Sequence, residues 1–377
     1  MTLLFVVNAP EFFLSHRLPI AIAAREAGFE VHVATGPGVD CARITALGFV
    51  QHALPLSRSG RNLLAELFCF WRIFRLMRRV RPEIVHLVTI KPTLYGGIAA
   101  RLARVPAVVT AISGLGTVFL SSDEGGHGWI RRVIAPLYRL ALGHANLRAV
   151  FQNPDDRAVL MGLGAVRQDQ TVLIRGSGVS LAEYRVRREP QGVPIVSLAA
   201  RLLRDKGVLE FVEAARILKL RGVAARFWLI GLPDPGNPSS VSEQDVQHWS
   251  EAGLIEALGY RDDIPTVFGQ SNLVVLPSYR EGLPKVLIEA AACGRAVITT
   301  DVPGCRDAIE PGKTGLLVAA RSAEALADAI QTLLEDPVRR QRMGEAGRAL
   351  AEDAFAIEKV VDAHLKLYRE LLEGVPL

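Results

Sequence analysis

The order of short apolar runs along the chain constrains the fold more than any other feature of the sequence. Before residue 175, runs rich in β-branched and other apolar residues alternate with segments of helical periodicity. The runs are 3–7, 30–34, 83–88, 107–111, 148–152 and 171–174. Buried strands that alternate with helices are typical of a parallel sheet covered by helices on both faces, so the pattern predicts an α/β fold.

The same alternation restarts after a break. The stretch 176–194 is rich in Gly, Pro and charged residues and has no periodicity, so we predict an interdomain linker there. Predicted strands then recur at 195–200, 227–231, 273–277, 296–300 and 315–319. The end of the chain has a helical pattern with breaks at Pro337 and near Phe355.

A chain of 377 residues is too long for one ordinary core and suits two domains. We predict one Rossmann-like domain over 1–178 and a second over 192–355, with parallel sheets that face each other across a cleft. A C-terminal helix over 356–377 is expected to pack back on the first domain.

Composition excludes several classes of protein. Half of the residues are hydrophobic and 22% are charged, so the chain can bury a large interior and is not intrinsically disordered. The four cysteines form no CxxC pair, which argues against zinc and against a disulfide framework and suits a reducing cytoplasm. No apolar stretch reaches the about 18 to 20 residues needed to span a bilayer, and no export signal precedes the first strand. Any membrane contact is therefore expected to be peripheral.

Charge is distributed unevenly between the two halves of the chain. Residues 1–190 carry 23 Lys and Arg against 13 Asp and Glu, a net charge of +10, whereas the remainder carries a net charge of −5. A basic half could bind nucleic acid, anionic lipid or phosphorylated substrates, and composition alone does not choose among them.

The most informative segment is PSYREGLPKVLIEAAACGRAVITTD at 277–301, which follows a predicted buried strand. Pro284 suits the first turn of a helix, where its missing N–H would be unpaired in any case. This arrangement places Glu281 in the loop and Glu289 about one and a half turns into the helix.

Such a loop can hold a nucleotide. The backbone N–H groups of Gly282 and Leu283 would lie at a helix N-terminus, where positive partial charge binds a pyrophosphate. Glu289 could accept hydrogen bonds from ribose hydroxyls, and Glu281 could contact the hydroxyls of a sugar. The alternative is an amphipathic helix with two solvated carboxylates.

A second segment, SLAARLLRDKGVLEF at 197–211, carries Arg201 and Lys206 between a strand and a helix that begins at Gly207. Two cations at the carboxyl end of a strand can form a phosphate clamp and stabilise a departing diphosphate. Taken alone, however, exposed Arg and Lys near a helix start are usually not catalytic.

The segments at 197–211 and 277–301, together with RDAIEPGKTGLLV at 306–318, resemble the motifs of family-four glycosyltransferases, which have the GT-B fold. The resemblance covers essentially the whole chain. It implies that Glu281, Glu289, Arg201 and Lys206 bind a nucleotide-sugar donor. Within the family, the chain resembles bacterial enzymes that extend undecaprenyl-diphosphate-linked saccharides in glycoprotein, O-antigen or capsule assembly.

Several finer expectations follow from the resemblance. It implies transfer with retention of anomeric configuration, from a donor expected to be UDP-linked, at the cytoplasmic face of the membrane. It also implies that 257–265 passes near the nucleobase, with Tyr260 or Arg261 beside the ring, unless this is an ordinary surface loop. No Asp-x-Asp triplet occurs, so we expect no bound metal, and no cofactor is implied.

The acceptor is expected at the carboxyl ends of the strands of the first domain. The loop 8–19 contains His16 and Arg17 but lacks the Gly-Gly pair common in the family, and Lys91 in the loop 86–92 offers a cation to a diphosphate. In the third loop, 111–119, Ser113 and Gly114 stand where many relatives have a histidine, so a catalytic histidine does not carry over. A lone histidine at a strand end, such as His16 or His86, is otherwise more often structural.

The basic charge is concentrated at 58–82, where apolar residues alternate with Arg72, Arg75, Arg78 and Arg79. This pattern predicts a basic amphipathic helix that lies on anionic lipid, and 129–148 has a similar character. Alternatively, such helices pack on the sheet with their arginines in water.

Other functions fit the sequence less well. A nucleotide-sugar epimerase of the same fold would convert donor without an acceptor. A two-lobed small-ligand-binding protein would need an export signal and no phosphate-binding cations. Nucleic-acid binding is not expected, because no recognised module accompanies the basic run and the GxxxxGK[ST] and GxGxxG motifs are missing.

Overall fold

The computed structural model describes residues 1–56, 62–115 and 128–373, with the side chains of 128–133 excepted. The chain forms two compact units. The first comprises Met1–Ser177 together with Glu358–Leu377, and the second comprises Gly178–Ile357.

The described part of the first unit contains a seven-stranded parallel sheet. Its strands are β1 (Thr2–Val7), β2 (Glu30–Thr35), β3 (Val50–Ala53), β4 (Ile84–Val88), β5 (Ala107–Ile112), β6 (Leu147–Phe151) and β7 (Thr171–Leu173). They lie in the order β3-β2-β1-β4-β5-β6-β7. Because β1 and β4 are neighbours, the strand order reverses beside β1, and ligands of such folds bind outside the carboxyl ends of the strands at this point.

Helices connect these strands and cover the sheet. They are α1 (Pro10–His16), α2 (Leu18–Glu26), α3 (Cys41–Ala46), α4 (Leu63–Val80), α5 (Gly97–Ala103), α6 (Gly128–Leu142) and α7 (Pro154–Gly162), with a π-helical turn at Pro92–Gly96 and a 3₁₀ turn at Gln168–Gln170. Helix α4 begins where the Asn62 side chain accepts hydrogen bonds from the N–H groups of Leu64 and Ala65. Such a cap satisfies donors that would otherwise be unpaired at the start of the helix.

The described strands of the second unit repeat the architecture with a six-stranded parallel sheet. They are β8 (Ile195–Ala199), β9 (Arg226–Ile230), β10 (Glu256–Gly259), β11 (Leu273–Leu276), β12 (Ala296–Thr300) and β13 (Gly315–Val318). Their order is β10-β9-β8-β11-β12-β13. The order again reverses beside one strand, β8, whose carboxyl end leads to Arg201 and Lys206.

Helices again alternate with these strands. They are α8 (Val208–Leu220), α9 (Glu243–Glu251), α10 (Ile264–Gly269), α11 (Lys285–Ala292), α12 (Ala323–Glu335) and α13 (Pro337–Leu350), with 3₁₀ turns at Arg204–Lys206 and Arg306–Ala308 and a π-helical turn at Ala351–Phe355. The last helix, α14 (Ile357–Glu373), belongs to the first unit from Glu358 onward. The predicted helix breaks at Pro337 and near Phe355 are therefore present. No helix within the described ranges is both long enough and apolar enough to cross a bilayer.

The α/β fold class is confirmed, and so are the strands predicted from apolar runs, to within one or two residues at their ends. The sequence missed β3 and β10, whose sequences are VQHA and EALG. Each lies at the edge of its sheet and has no buried residue. A strand without a buried apolar run lacks the signal on which the prediction depends.

The stretch 176–194 does not behave as a free linker. From Gly178 onward it belongs to the second unit. There Glu189 pairs with Arg340 at 2.7 Å, and both side chains are almost completely buried. The Arg295 guanidinium donates to the backbone carbonyl of Arg187 at 2.9 Å. Composition predicted a linker because the segment lacks periodicity, but irregular backbone packs well where buried arginines bind its carbonyl groups.

Candidate active site

The carboxyl edge of the second unit is assembled around a tight approach of two loops. After β8 the chain makes the 3₁₀ turn that ends at Lys206, and Gly207 then adopts φ +72° immediately before α8. A Cβ atom on Gly207 would collide with the carbonyl oxygen of Pro277, at the end of β11. Glycine at this position therefore permits both the left-handed backbone and the close approach of Lys206 to the loop after β11.

Lys206 and Glu281 meet in this space. The Lys206 Nζ contacts Glu281 Oε1, and the two side chains are 23% and 12% exposed. The loop that carries Glu281 is held by the segment after β12, because the Glu281 N–H donates to the carbonyl oxygen of Pro303 at 3.2 Å. Gly304 next to it has φ +81°, and a Cβ there would collide with the Glu281 carbonyl oxygen. Two sequence-predicted residues are thus brought together on rigid backbone.

Helix α11 begins beside this pair. The prediction that Pro284 occupies its first turn was one residue out, since Pro284 is the extended N-cap residue and the helix starts at Lys285. Pro284 itself makes no side-chain capping hydrogen bond. Leu283 is 6% exposed and packs into the hydrophobic core, which anchors the loop. A helix start with a cation beside it is suited to bind an anionic group.

Glu289 lies on α11 and is 7% exposed. Its Oε1 accepts a hydrogen bond from the Tyr184 hydroxyl at 2.7 Å and pairs with Lys285 Nζ at 3.0 Å. Burial and the adjacent Glu289 carboxylate raise the pKa of Tyr184 well above its usual range. Because Tyr184 stays protonated, it donates a hydrogen bond that fixes the carboxylate at neutral pH.

Arg201 and Arg261, two other predicted donor residues, are bound to carboxylates other than Glu281. Arg201 donates to Asp234 Oδ2 at 2.7 Å and remains 53% exposed. Arg261 makes two hydrogen bonds to the Asp263 carboxylate, at 2.6 and 2.7 Å, and Tyr260 is 74% exposed. The structure thus brings Lys206 and Glu281 together, but it does not place Arg201 on the same carboxylate.

Sequence reasoning did not single out Tyr279, which joins two loops of this edge. Its N–H donates to the carbonyl oxygen of Asp205 at 2.9 Å, and its hydroxyl donates to Glu210 Oε1 at 2.7 Å. The guanidinium of Arg321 lies 4.9 Å from the ring centroid. Tyr279 lies in the loop after the buried strand β11, two residues before Glu281. A polar aromatic residue in that loop was the sequence signal that could have identified it.

In the first unit, Arg17 lies between α1 and α2 and is only 2% exposed. Its guanidinium donates to Ser177 Oγ at 3.3 Å, to Ser113 Oγ at 3.4 Å and to the carbonyl oxygen of His16 at 2.9 Å. All three of these acceptors are neutral. Burial lowers the pKa of Arg17 to about 10, so the group remains charged at neutral pH.

Lys91 lies after β4 and is paired with a carboxylate from α4. Its Nζ contacts Glu66 Oε1 at 2.7 Å, and the Tyr95 hydroxyl donates to Glu66 Oε2 at 2.7 Å. The side chains of Lys91 and Glu66 are both about one-fifth exposed. His16, by contrast, stacks on Phe12 with ring centroids 4.1 Å apart.

Two further residues at this edge were missed by the sequence analysis. Asn8 and Thr89 directly follow the paired strand residues Val7 and Val88, so they lie side by side at the carboxyl edge of the sheet. Thr89 has φ +75°, which is strained for a β-branched residue. The Asn8 Oδ1 and Thr89 Oγ1 atoms are buried and have no hydrogen-bond partner among the residues that the structure describes. No local sequence pattern signals this strain.

His86 is placed in the interior rather than at a ligand. It lies on β4, has no exposed surface, and its Nδ1 is 2.6 Å from the hydroxyl of Tyr368 on α14. His364, also on α14, stacks on it with ring centroids 5.6 Å apart. Burial lowers the pKa of both imidazoles, that of His364 to about 4. The structural interpretation of His86 therefore fits its surroundings.

The amphipathic helix predicted at 58–82 is present as α4; residues 58–61, like 116–119 of the third loop, lie outside the described residues. Only Cys69, Ile73 and Met77 of α4 are buried. Large apolar side chains on its first half are between 45% and 76% exposed: Leu63, Leu64, Leu67, Phe68 and Trp71. The partly buried Phe70, Phe74 and Leu76 also pack against the core, and α4 leaves a second apolar face exposed.

Two units, each with a parallel sheet and connecting helices, define the class as an α/β protein of the GT-B type. Comparison with known proteins agrees. The family model described as "Glycosyl transferases group 1" matches residues 182–350, and "Glycosyl transferase 4-like" matches residues 2–152. The chain belongs to these group 1, family-four-type glycosyltransferases.

Individual relatives show how far the similarity extends. A Campylobacter jejuni N,N'-diacetylbacillosaminyl-diphospho-undecaprenol alpha-1,3-N-acetylgalactosaminyltransferase is 30% identical over 96% of this chain and 99% of its own. An Escherichia coli UDP-Gal:alpha-D-GlcNAc-diphosphoundecaprenol alpha-1,3-galactosyltransferase is 23% identical over 82% of this chain and 81% of its own. The crystal structure of Anabaena HepE with UDP and glucose covers both chains completely, with a TM-score of 0.76 and 20% identity. At 20% identity, the similarity to the HepE structure supports the fold alone.

Proposed function

We propose that this protein transfers a hexose or N-acetylhexosamine from a UDP-linked donor to a saccharide carried on a polyprenyl diphosphate, with retention of anomeric configuration. The two relatives above are named for transfer to undecaprenyl-diphosphate saccharides, and one of them for a UDP-linked donor. A polyprenyl diphosphate is anchored in a membrane by its lipid chain. We propose that the reaction takes place at the cytoplasmic face of that membrane.

The contact between Lys206 and Glu281 is the observation that carries the proposal. A diphosphate bound at the start of α11 would lie beside the Lys206 ammonium, which would then stabilise the charge that develops on the departing nucleotide. Glu281, released from part of its ion pair, would accept hydrogen bonds from the donor sugar. Arg201 would contribute by exchanging Asp234 for phosphate oxygen, which its 53% exposure permits.

We further propose that the nucleoside lies toward Glu289, Tyr260 and Arg261. The buried Glu289 carboxylate is fixed by Tyr184 and Lys285, so it is preorganised to accept ribose hydroxyls on its remaining lone pairs. Tyr260 directly follows β10 and is largely exposed, which leaves its ring available to stack on a base.

The proposed reaction requires no protein nucleophile and no metal. The acceptor hydroxyl oxygen forms the new bond to the anomeric carbon while the bond from that carbon to the phosphate oxygen breaks. The proton of the hydroxyl passes to an oxygen of the departing diphosphate, which leaves on the same face. Lys206, Arg201 and the start of α11 supply the positive charge that a metal clamp supplies in other transferases.

For the acceptor, we propose the carboxyl edge of the first unit. Arg17 is a buried cation with neutral partners, so its positive potential is not cancelled by a paired carboxylate and attracts a diphosphate. Lys91 can add a second cation by releasing Glu66, and His16 lies next to Arg17. The buried oxygens of Asn8 and Thr89, which have no partner within the described part of the chain, are suited to accept hydrogen bonds from sugar hydroxyls.

We propose that α4 holds the protein on the membrane. It exposes five large apolar residues together with Arg72, Arg75, Arg78 and Arg79, the combination expected of a helix that lies in an anionic interface. Replacing these four arginines by glutamine should release the protein from anionic vesicles in a sedimentation assay. Unchanged sedimentation would contradict this part of the proposal.

The test of the whole function is a matrix of donors and acceptors. Purified protein is incubated with UDP-, GDP- and dTDP-sugars, each with and without undecaprenyl-diphosphate saccharides, in excess chelator. Nucleotide release and labelled lipid product are both followed. We expect release that depends on the acceptor and on one UDP-sugar, without added metal, and a product that keeps the donor's anomeric configuration. Conversion of donor without acceptor would indicate an epimerase instead, and strict dependence on metal would contradict the mechanism.

A further inference from the structure

A groove of about 450 Å³ lies between the edge strand β3 and helix α4 of the first unit, apart from the residues proposed to bind the acceptor. Its polar lining comes from Gln51 and His52 on the strand and from Arg72, Arg75 and Arg79 on the helix. The three arginines are three and four residues apart, so they form one stripe along α4. A volume of this size can hold a small ligand or a lipid headgroup.

The positive charge in this groove has no partner of opposite sign within the described ranges of the chain. No carboxylate there pairs with any of the three arginines. Two of the guanidinium groups lie near aromatic rings of the same helix: Arg75 is 5.2 Å from the Trp71 centroid and Arg72 is 5.9 Å from that of Phe68. Contact with an aromatic ring does not use the guanidinium N–H groups as hydrogen-bond donors to oxygen. These N–H groups can therefore still bind an anion.

The strand side of the groove supplies further donors. The Gln51 side-chain amide nitrogen is buried and has no hydrogen-bond partner in the ranges that the structure describes. Next to it, His52 Nε2 lies 2.9 Å from His32 Nδ1, and His32 in turn bonds to Glu30. A buried amide donor without an acceptor is costly, and a bound oxygen would satisfy it.

We propose that this groove binds the phosphate group of an anionic phospholipid headgroup. Phosphate esters present only acceptor oxygens at these positions, which match the guanidinium and amide donors of Arg72, Arg75, Arg79 and Gln51. The proposal rests on the membrane association proposed above and adds a specific site to it. A lipid source fits the location, because the preceding two turns of the same helix expose the large apolar side chains that would enter the interface.

The experiment compares a groove arginine with a matched arginine on the same helix. Arg75→Gln and Arg78→Gln remove the same charge, but only Arg75 lines the groove. Binding is measured on phosphatidylcholine vesicles with and without phosphatidylglycerol. Arg78→Gln should weaken binding to the anionic vesicles about fivefold, the effect of one cation near such a surface. Arg75→Gln should weaken it about thirtyfold or more, because charge-assisted hydrogen bonds are also lost.

A charge-neutral variant separates the groove from the general surface potential. Gln51→Met keeps the charge and approximate size of the side chain but removes the amide donor, so it should weaken vesicle binding several-fold if a phosphate oxygen occupies the groove. Thermal unfolding of each variant verifies that it is folded. Equal losses for Arg75→Gln and Arg78→Gln, together with no effect of Gln51→Met, would overturn the proposal.

Inorganic phosphate and glycerol phosphate distinguish a lipid source from a soluble one. At constant ionic strength, we expect them to compete with anionic vesicles only weakly. Tight binding of either, with no preference for anionic vesicles, would show a site for soluble phosphate and overturn the lipid assignment. Transfer activity of the unaltered protein is measured in parallel on acceptor dispersed in detergent. Activity without groove-dependent vesicle binding would refute the groove alone, whereas groove-dependent binding without activity would refute the proposed function alone.

Discussion

The carboxyl edges of the two sheets compensate their cations in different ways. In the second unit Lys206 pairs with Glu281 and Arg201 with Asp234, and all four side chains keep some exposure. In the first unit the guanidinium of Arg17 is almost completely buried and donates to two hydroxyls and a backbone carbonyl. The two sheets share a strand arrangement, and Lys91 in the first unit also pairs with a carboxylate, that of Glu66. The difference is Arg17, a buried cation whose acceptors are all neutral.

This difference bears on how each edge can respond to an anion. A paired, partly exposed cation must exchange its carboxylate for phosphate, which makes binding and release reversible at modest cost. A buried cation with neutral partners is already desolvated in the free protein. Its positive electrostatic potential can therefore attract an anion without the loss of an ion pair. We therefore expect substitutions in the second unit to change the transfer step, and those in the first unit to change stability and the binding of acceptor.

The largest effect should come from Lys206. Lys206→Ala removes a cation proposed to stabilise the departing diphosphate, so kcat/KM should fall about 100- to 1000-fold, as when a charge-stabilising donor is lost from other active sites. Glu281→Ala should cause a loss of similar size. Steady-state kinetics with the preferred donor provides the measurement. Arg216→Ala, which breaks an exposed pair with Glu213 on α8, is the matched control and should retain activity. Equal activity of the Lys206 variant and this control would remove the basis of the donor site.

Acid should destabilise the first unit through its buried imidazoles. The folded-state pKa of His364 is about 4 and that of His86 is also lowered, whereas both titrate near 6.5 in the unfolded chain. Below pH 6.5 the unfolded chain therefore takes up protons that the folded protein does not. The stability present above pH 6.5 is lost as pH falls toward about 4, by about 3 kcal/mol for His364.

Chemical unfolding across this pH range measures the effect. His364→Gln should flatten the decline by about that amount, whereas His248→Gln, at an exposed histidine of α9, should leave the slope unchanged. If His364→Gln has the same slope as the unaltered protein, the buried imidazole is not the source of the acid sensitivity.

A smaller effect is expected at Thr89. Thr89→Gly removes the strain of a β-branched residue at φ +75° and should raise the free energy of unfolding by about 1 kcal/mol. Loss of the hydroxyl should at the same time raise the KM for acceptor and leave the KM for donor unchanged. Arg104→Gly is the control, because Arg104 also has positive φ, 58°, but terminates α5. It should gain stability without any change in KM, and a parallel KM change in both variants would argue against a role for the Thr89 hydroxyl.

The smallest effect should come from an ion pair away from both edges. Arg226 makes two hydrogen bonds to Glu256, at 2.6 and 2.7 Å, yet both side chains are more than two-fifths exposed. Arg226→Gln should lower the free energy of unfolding by less than about 1 kcal/mol and leave activity unchanged. A large loss of activity would show that the distinction between edge pairs and surface pairs is wrong.

The sequence motifs identified in advance two residues of the proposed donor site that the structure brings into contact. Glu281 and Lys206 were predicted from their positions after buried strands, and the carboxyl ends of the parallel strands β8 and β11, which precede them, lie at one edge of the sheet. Glycines at 207 and 304 then allow the close approach. The sequence did not predict that Arg201 would instead bind Asp234, because a choice between two carboxylates depends on distances that spacing does not encode.

Alternation of apolar runs by itself determined that this protein has two parallel-sheet α/β units, because burial on both faces of a strand and on one face of a helix imposes a local pattern. Only the tertiary structure decided the buried contacts. His86 and Tyr368 are 282 residues apart in the chain, and Ser113 and Ser177 meet Arg17 from separate segments. The strain at Thr89 and the groove beside Gln51 likewise arise where distant segments pack together. Such contacts depend on the three-dimensional path of the whole chain, which no local period of residues records.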